Sequence, residues 1–373
     1  MTLYGRYGKA PNLRQMLRCH PADGSPPHKF AGRMLSRAGA CDYCENPVAA
    51  HQGPRVVRRY DFPVVRAAEA LVRVGQGVSY TDVADRLRAR TDRRQFTRGA
   101  QLVANWVEVL GPVVTAPHAE TAWPETVVLD GTWFMVENTW TGRGSRAFAV
   151  LGVYGYPAGP ERGRTWALKA RSSATKRDWA AILRSLGGRP RMVISDDDPA
   201  QLGAVETVWP GVHVALCEHH LRTGALRTYR TYGLEHDEEM LALLRSAFRS
   251  PIGWRAFKAG VAGAGLSVEE WVERYDAQMV VQTERRARMP DHHSTGALER
   301  SLTEVRRFVG PRAYCYRNAE RTNRMLELVR LRLNKVDDPN AYAAAIRAYL
   351  DANSGRLPRQ GYIRDKRGHY SLR

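Results

Sequence analysis

"VVLDGTWFMVEN", Val127–Asn138, governs the reading of the whole chain. An apolar run reaches a single carboxylate, Asp130, and passes on to glycine and two aromatic residues. An ionised carboxylate is costly to bury unless it is paired or binds a metal, so a strand that delivers one implies a cation nearby. The pattern recurs in "RMVISDDDPAQL", Arg191–Leu202, where an apolar strand ends at Asp196 with Asp197 and Asp198 behind it. If the two strands are parallel neighbours, Asp130 and Asp196 meet at one end of a sheet. Facing carboxylates repel unless a cation lies between them. Hard oxygen donors suit Mg²⁺ or Mn²⁺. Asp197 and Asp198, just before Pro199, read as turn or N-cap residues.

Around these two stretches lie further β-rich runs, "RAFAVLGVYG", "TWALKA" and "VHVAL". The segment "ATKRDWAAILRSL" sets Trp179, Ile182, Leu183 and Leu186 on one helical face. The predicted order over residues 125–225 is strand, strand, strand, helix, strand, helix, strand. Such alternation indicates an α/β layer. Residues 226–290 read as helical, with "DEEMLALLRSAFR" and "VEEWVERYDAQMVVQTERRAR". The helix beyond, "TGALERSLTEVRRFVG", offers a third acid, Glu299 or Glu304. Glu299 comes early, after Ser294 and Thr295, which can cap the helix; Glu304 falls on a different face.

Upstream, residues 61–111 read as three helices. The first has an apolar stripe at Val64, Ala67, Ala68, Leu71 and Val72, ended by Gly75 and Gly77. The second opens with Ser79 and Asp82, a capping box with Asp in place of Glu. The third runs from about Thr97 to Leu110. The arrangement is that of a helix-turn-helix, although any small trihelical domain gives the same pattern. The basic run beside it, Arg86, Arg88, Arg90, Arg93 and Arg94, favours DNA. Residues 1–60 are rich in Pro, Gly, Cys and His, which suits a small module stapled by metal. Cys41 and Cys44 have zinc-knuckle spacing. Cys19 is a candidate third ligand, and His51, His20 and His28 compete for the fourth place; the zinc set is taken as Cys19, Cys41, Cys44 and His51. Stray thiols in a loop-rich segment are the plainer alternative. Residues 336–373 form a helical and basic tail.

The net charge is +19, from 57 bases against 38 acids, nearly all of the bases arginine. A GC-rich genome accounts for arginine over lysine but not for the excess of bases. A polyanionic partner accounts for both, and arginine forks onto phosphate and guanine. Five cysteines, an odd number, argue against a disulfide framework. No apolar run is long enough to span a bilayer, and the N-terminus lacks the apolar centre of a signal peptide. A cytoplasmic, nucleoid-associated protein is expected.

The segments "LDGTW", "VISDDDPAQLGAV…WPGVHVALCEHHLR" and "STGALERSLTEVRRF" together resemble the Mutator-like DDE transposases of bacterial insertion sequences. The likeness covers about residues 125–310 and, weakly, the N-terminal module. Glycine stands where the family's third motif usually carries asparagine. The resemblance implies an RNase H-like core, with a mixed five-stranded sheet and helices, over residues 125–225. It implies an all-α insertion at 226–290 and the core's last helices, with the third acid, at 291–335. It also implies Asp130, Asp196 and Glu299 as a catalytic triad holding Mg²⁺ or Mn²⁺. The partner would be double-stranded DNA, as terminal inverted repeats and target, engaged by a homo-oligomer. Cys217 and His220, in "CEHH", match the family's C-x2-H and imply a structural or DNA-positioning role; zinc is the other option there. Two further readings stay open: a metal-dependent nuclease or resolvase on the same fold, and a catalytically inactive, transposase-derived repressor.

Overall fold

The computed structural model describes residues 2–7, 14–19, 28–31, 40–41, 46–47, 64–89, 99–137, 144–159, 162–286, 294–311 and 318–353; before residue 64 it describes backbone alone. These residues fall into two compact units, one holding those up to Ala119 and from Glu320 onward, the other spanning Glu120–Ala319.

The first unit opens with strands β1 (Thr2–Tyr7), β2 (Arg14–Cys19) and β3 (His28–Ala31), an antiparallel sheet in that order, and a short hairpin of β4 (Ala40–Cys41) and β5 (Asn46–Pro47). The expected zinc ligands lie outside the described residues, either as side chains (Cys19, His28, Cys41) or altogether (His20, Cys44, His51). Helices α1 (Val64–Gly75), α2 (Tyr80–Ala89), α3 (Gly99–Val109) and α4 (Gly111–Thr115) follow. The stripe Val64, Ala67, Ala68, Leu71 and Val72 is buried. The N-cap half of the expected capping box forms, the Asp82 N–H donating to Ser79 Oγ at 3.0 Å, and the Ser79 hydroxyl donates to Asp82 Oδ2 at 2.6 Å.

The second unit contains β6 (Thr126–Glu137), β7 (Gly144–Tyr156), β8 (Arg164–Arg171), α5 (Lys176–Leu183), β9 (Met192–Ser195), α6 (Pro199–Val208) and β10 (His213–Leu216). Four helices come next, α7 (Glu218–Thr231), α8 (Glu238–Ala247), α9 (Pro251–Gly260) and α10 (Leu266–Arg286), and then α11 (Gly296–Val309). The sheet is five-stranded in the order β10-β9-β6-β7-β8. The β10–β9 and β9–β6 pairs are parallel, and the β6–β7 and β7–β8 pairs antiparallel. This mixed sheet, with its element order, is compatible with the expected RNase H-like core.

Alternation along β6 assigns its two faces. Val127 and Leu129 pack with Trp179, Ile182 and Leu183 of α5 and Val205 of α6; Leu186, expected on the same face, is only partly buried there. The other face receives α11, whose Leu298, Leu302, Val305 and Val309 are fully buried at helical spacing. Gly152 of β7, opposite Asp130 in the ladder, permits that approach. A Cβ there would lie 2.9 Å from Leu298 Cδ1 and 3.2 Å from Leu302 Cδ2.

Helices α7–α10 share a core that includes Tyr229, Leu244, Phe248, Trp254, Phe257 and Trp271. Helix α10 also closes the sheet edge. The Gln282 side chain accepts from the Leu216 N–H at 2.9 Å and donates to the Leu216 carbonyl at 2.8 Å, while Gln278 donates to the Val214 carbonyl at 2.8 Å. Two amide side chains thereby pair an edge that would otherwise be open. Asp197 does more than shape a turn: it pairs with Arg274 and accepts from the Tyr275 hydroxyl at 2.8 Å, tying the end of β9 to α10. Asp198 is the N-cap expected, accepting from the Ala200 N–H at 2.8 Å.

The last two helices, α12 (Ala319–Leu333) and α13 (Pro339–Ala352), return to the first unit. A Cβ on Gly75 of α1 would lie 2.8 Å from the Leu328 carbonyl oxygen of α12, so glycine allows the two backbones to meet. Residues 291–335, expected to hold the core's last helices, contain α11, which packs on the sheet, and α12, nearly all of which falls in the first unit. No helix among the described residues is long and apolar enough to cross a membrane.

Candidate active site

Strand β6 does not end at Asp130, as the sequence suggested, but runs on to Glu137 because β7 continues to pair with it. What ends is the parallel partner: the β6–β9 register runs Thr126 to Met192, Val127 to Val193 and Val128 to Ile194. Carried two residues further, that register sets Asp130 level with Asp196, where β9 has just stopped. Asp130 is 8% exposed, and its Oδ1 accepts from the Gly131 N–H at 2.7 Å. Burial foremost, then the charge of Asp196, with a smaller effect of Glu299, raises the Asp130 carboxyl to about 7; the Gly131 N–H and His220 act in the opposite sense.

Glu299 arrives from the first turn of α11, half-buried. The buried Thr295 hydroxyl donates to Glu299 Oε1 at 2.5 Å. Thr295 is the N-cap residue, yet its side chain makes no capping bond; it serves Glu299 instead. Glu304, the competing acid, lies 3.9 Å from Arg307 on its own helix.

The C-x2-H pair joins these elements. Cys217 follows β10, and its N–H donates to the Ser195 carbonyl at 2.8 Å, closing the gap to the end of β9. It is also the N-cap residue of α7, so His220 projects from the same side of the helix three residues on. His220 Nδ1 lies 2.7 Å from Asp196 Oδ1 and 3.9 Å from Glu299 Oε1. The Cys217 sulfur is fully buried, accepts from the Thr295 N–H at 3.3 Å and lies 3.2 Å from Thr295 Oγ1. One end of the motif thus reaches the carboxylates, and the other holds the residue that holds Glu299. Contact with Asp196 first, and with Cys217 second, raises His220 to about 10. Burial pushes the Cys217 thiol up, but the hydrogen bonds with His220 and Thr295 outweigh it and leave the thiol below its usual range.

Asp196, Cys217 and His220 each offer a ligand atom within 4.8 Å of the others, so this group could hold a metal ion. The donor chemistry separates two uses. The sulfur is already engaged by Thr295, whereas Asp130, Asp196 and Glu299 present only oxygen. Asp196 Oδ1 is buried with no well-directed hydrogen bond, its 2.7 Å neighbour His220 notwithstanding. Burial, and after it the charge of Asp196, disfavours the ionised Asp130 carboxyl, and a bound cation would offset both. The carboxylate set fits a hard divalent ion.

Of the residues expected from sequence, Asp130, Asp196, Glu299, Cys217 and His220 come together in one place. His219 is exposed beside His220. Arg86 is exposed on α2; the Arg88 side chain and Arg90, Arg93 and Arg94 lie outside the described residues. The sequence did not reveal Thr295 as the link between Cys217 and Glu299. Nor did it reveal the buried Glu218, paired with Arg286, or Arg306, whose Nε donates to Thr132 Oγ1 at 2.6 Å. No local pattern marks such pairs, whose partners lie far apart in the chain.

Compared with protein-family models and with curated protein sequences, the chain gives no match. Its functional reading rests on the geometry above and on the motifs.

Proposed function

We propose that this protein is a DDE transposase with an RNase H-like core, acting on the double-stranded DNA ends of an insertion sequence. The observation that carries the reading is the convergence of Asp130, Asp196 and Glu299, from β6, β9 and α11, around one imidazole. Asp130, Asp196 and Glu299 would hold Mg²⁺ or Mn²⁺, which when bound supplies Lewis-acid activation of the attacking oxygen and stabilisation of the leaving one in phosphodiester transfer. The protein's own groups prepare the place. Burial of Asp130 keeps water from screening the carboxylates. His220 supplies positive charge between Asp196 and Glu299 while they face each other. Thr295, fixed by Cys217, sets the Glu299 carboxylate. The excess of arginine holds the DNA backbone, and the helices α1–α3 recognise the element ends.

The test is a strand-cleavage and joining assay with Mg²⁺, using DNA from the two flanks of the coding region. Cleaved ends joined to target DNA are expected. Cleavage without joining would assign the site to a nuclease or resolvase, and sequence-specific binding without cleavage would assign the chain to a repressor.

A further inference from the structure

At the end of β9 opposite Asp196, the second unit carries a separate basic cavity of about 830 Å³. It is lined by Arg189, Pro190 and Arg191, which lead into β9, by Gly211 and Val212, which lead into β10, by His213, its first residue, and by Arg285 of α10. No carboxylate lines it. Arg189 donates to the Pro210 carbonyl at 2.7 Å, and Arg191 lies 2.5 Å from Glu125 Oε1. Each contact uses part of a five-donor fork, so both guanidinium groups are anchored with donors to spare. His213 lines the wall, and its Nε2 is buried without a hydrogen-bond partner. Burial, then the charge of Arg285, lowers His213 to about 4, so the ring stays neutral and the arginines carry the positive charge.

Three guanidinium forks around a neutral imidazole match an anion with several oxygens in fixed geometry, which is the character of a phosphate. The cavity opens to solvent and exceeds the size of one free phosphate, so a chain of phosphates can pass through it. We infer that Arg189, Arg191, His213 and Arg285 form a phosphodiester-binding site that grips DNA away from the reacting phosphate. The identity of the polyanion as DNA rests on the proposed function. Arg191 and Asp196 are five residues apart on an extended strand, about 16 Å. That span equals about five base pairs of duplex, so one DNA segment can occupy both places. With no acid or nucleophile in the cavity, its role is holding.

The experiment measures the affinity of the full chain for random-sequence duplex DNA across a series of salt concentrations, without divalent metal. The proteins are wild type, the double variant Arg189→Gln/Arg285→Gln, and Arg255→Gln as a control on the exposed face of α9. A lost phosphate contact makes the slope of log affinity against log salt shallower by about one. The double variant is expected to bind more weakly at low salt with a slope shallower by about one or more, and Arg255→Gln to match wild type. An unchanged slope in the double variant would overturn the site, as would an equal change in the Arg255→Gln control. If the double variant melts well below wild type, Arg285→Gln alone is measured under the same criteria. Wild type that binds no DNA would remove both this site and the proposed function. DNA binding that is intact and sensitive to Arg189 and Arg285, with no strand cleavage, would remove the transposase reading and leave this site standing.

Discussion

Asp130 is held against its own ionisation. Its carboxyl is raised from 3.8 to about 7, chiefly by burial and then by Asp196. A folded-state pKa above the unfolded one means that the folded protein binds the proton more tightly. The metal-free fold therefore loses stability as pH rises from about 4 to about 7, and the loss is complete above that. Its size is on the order of a few kcal/mol. Asp130→Asn removes the charge, so in chelator the variant is expected to melt higher than wild type at pH 8 and to lose that advantage at pH 5. Mg²⁺ is expected to raise the melting temperature of wild type at pH 8 and not that of the variant. A variant that melts lower than wild type at both pH values would refute this electrostatic picture. Cys217 gives a second residue-scale test. Cys217→Ala frees Thr295, and cleavage is expected to fall about tenfold or more through kcat, with DNA affinity unchanged. Cys217→Ser, which can still accept from Thr295, is expected to recover most of the rate. If both variants keep wild-type kcat, Cys217 has no part in setting Glu299.

The same chemistry depends on how closely α11 lies on the sheet. Gly152, opposite Asp130, leaves room for Leu298, next to Glu299 in the chain, and for Leu302, about one turn of helix beyond it. Gly152→Val would force α11 outward, with an expected loss of about 1–3 kcal/mol in stability and loss of cleavage beyond what the melting shift explains. Gly152→Ala presses only on the ends of two leucines, the Asp130 carbonyl lying at ordinary contact distance, and is expected to be milder; thermal melts and cleavage rates of the two variants decide it. Equal activity of Gly152→Val and wild type would show that α11 does not set the site. Much of this element-level structure was legible in the sequence. The acid at the end of β9, the apolar face of α5 and the Ser79–Asp82 cap are local patterns, and local patterns survive folding. The course of β6 past Asp130 was not legible, because the residues that extend it are those of β7. The docking of α10 by Gln278 and Gln282, and the return of α12 to the first unit, rest on partners distant in the chain. Glutamine on a helix gives no sign that it completes a sheet edge.

At the scale of the molecule, chemistry and excess charge can be read separately. The acids lie in the second unit, brought together by β6, β9 and α11, while the chain as a whole, with 57 Lys and Arg against 38 Asp and Glu, carries +19. The proposed polyanion binding thus draws on composition, whereas the proposed phosphodiester chemistry requires one particular placement of three carboxylates. The sequence offered two glutamates on α11 for the third position, Glu299 and Glu304. The structure brings Glu299 to His220 and Thr295 and leaves Glu304 beside Arg307. The most direct measurement is therefore Mg²⁺-dependent cleavage of element-end DNA by wild type, Glu299→Gln and Glu304→Gln at matched DNA occupancy. Glu299→Gln is expected to lose cleavage by roughly a hundredfold or more, since a carboxamide is a poor ligand for a hard cation, while Glu304→Gln keeps the wild-type rate. Near-normal cleavage by Glu299→Gln, or its loss in Glu304→Gln alone, would contradict the assignment of Asp130, Asp196 and Glu299 as one catalytic metal site.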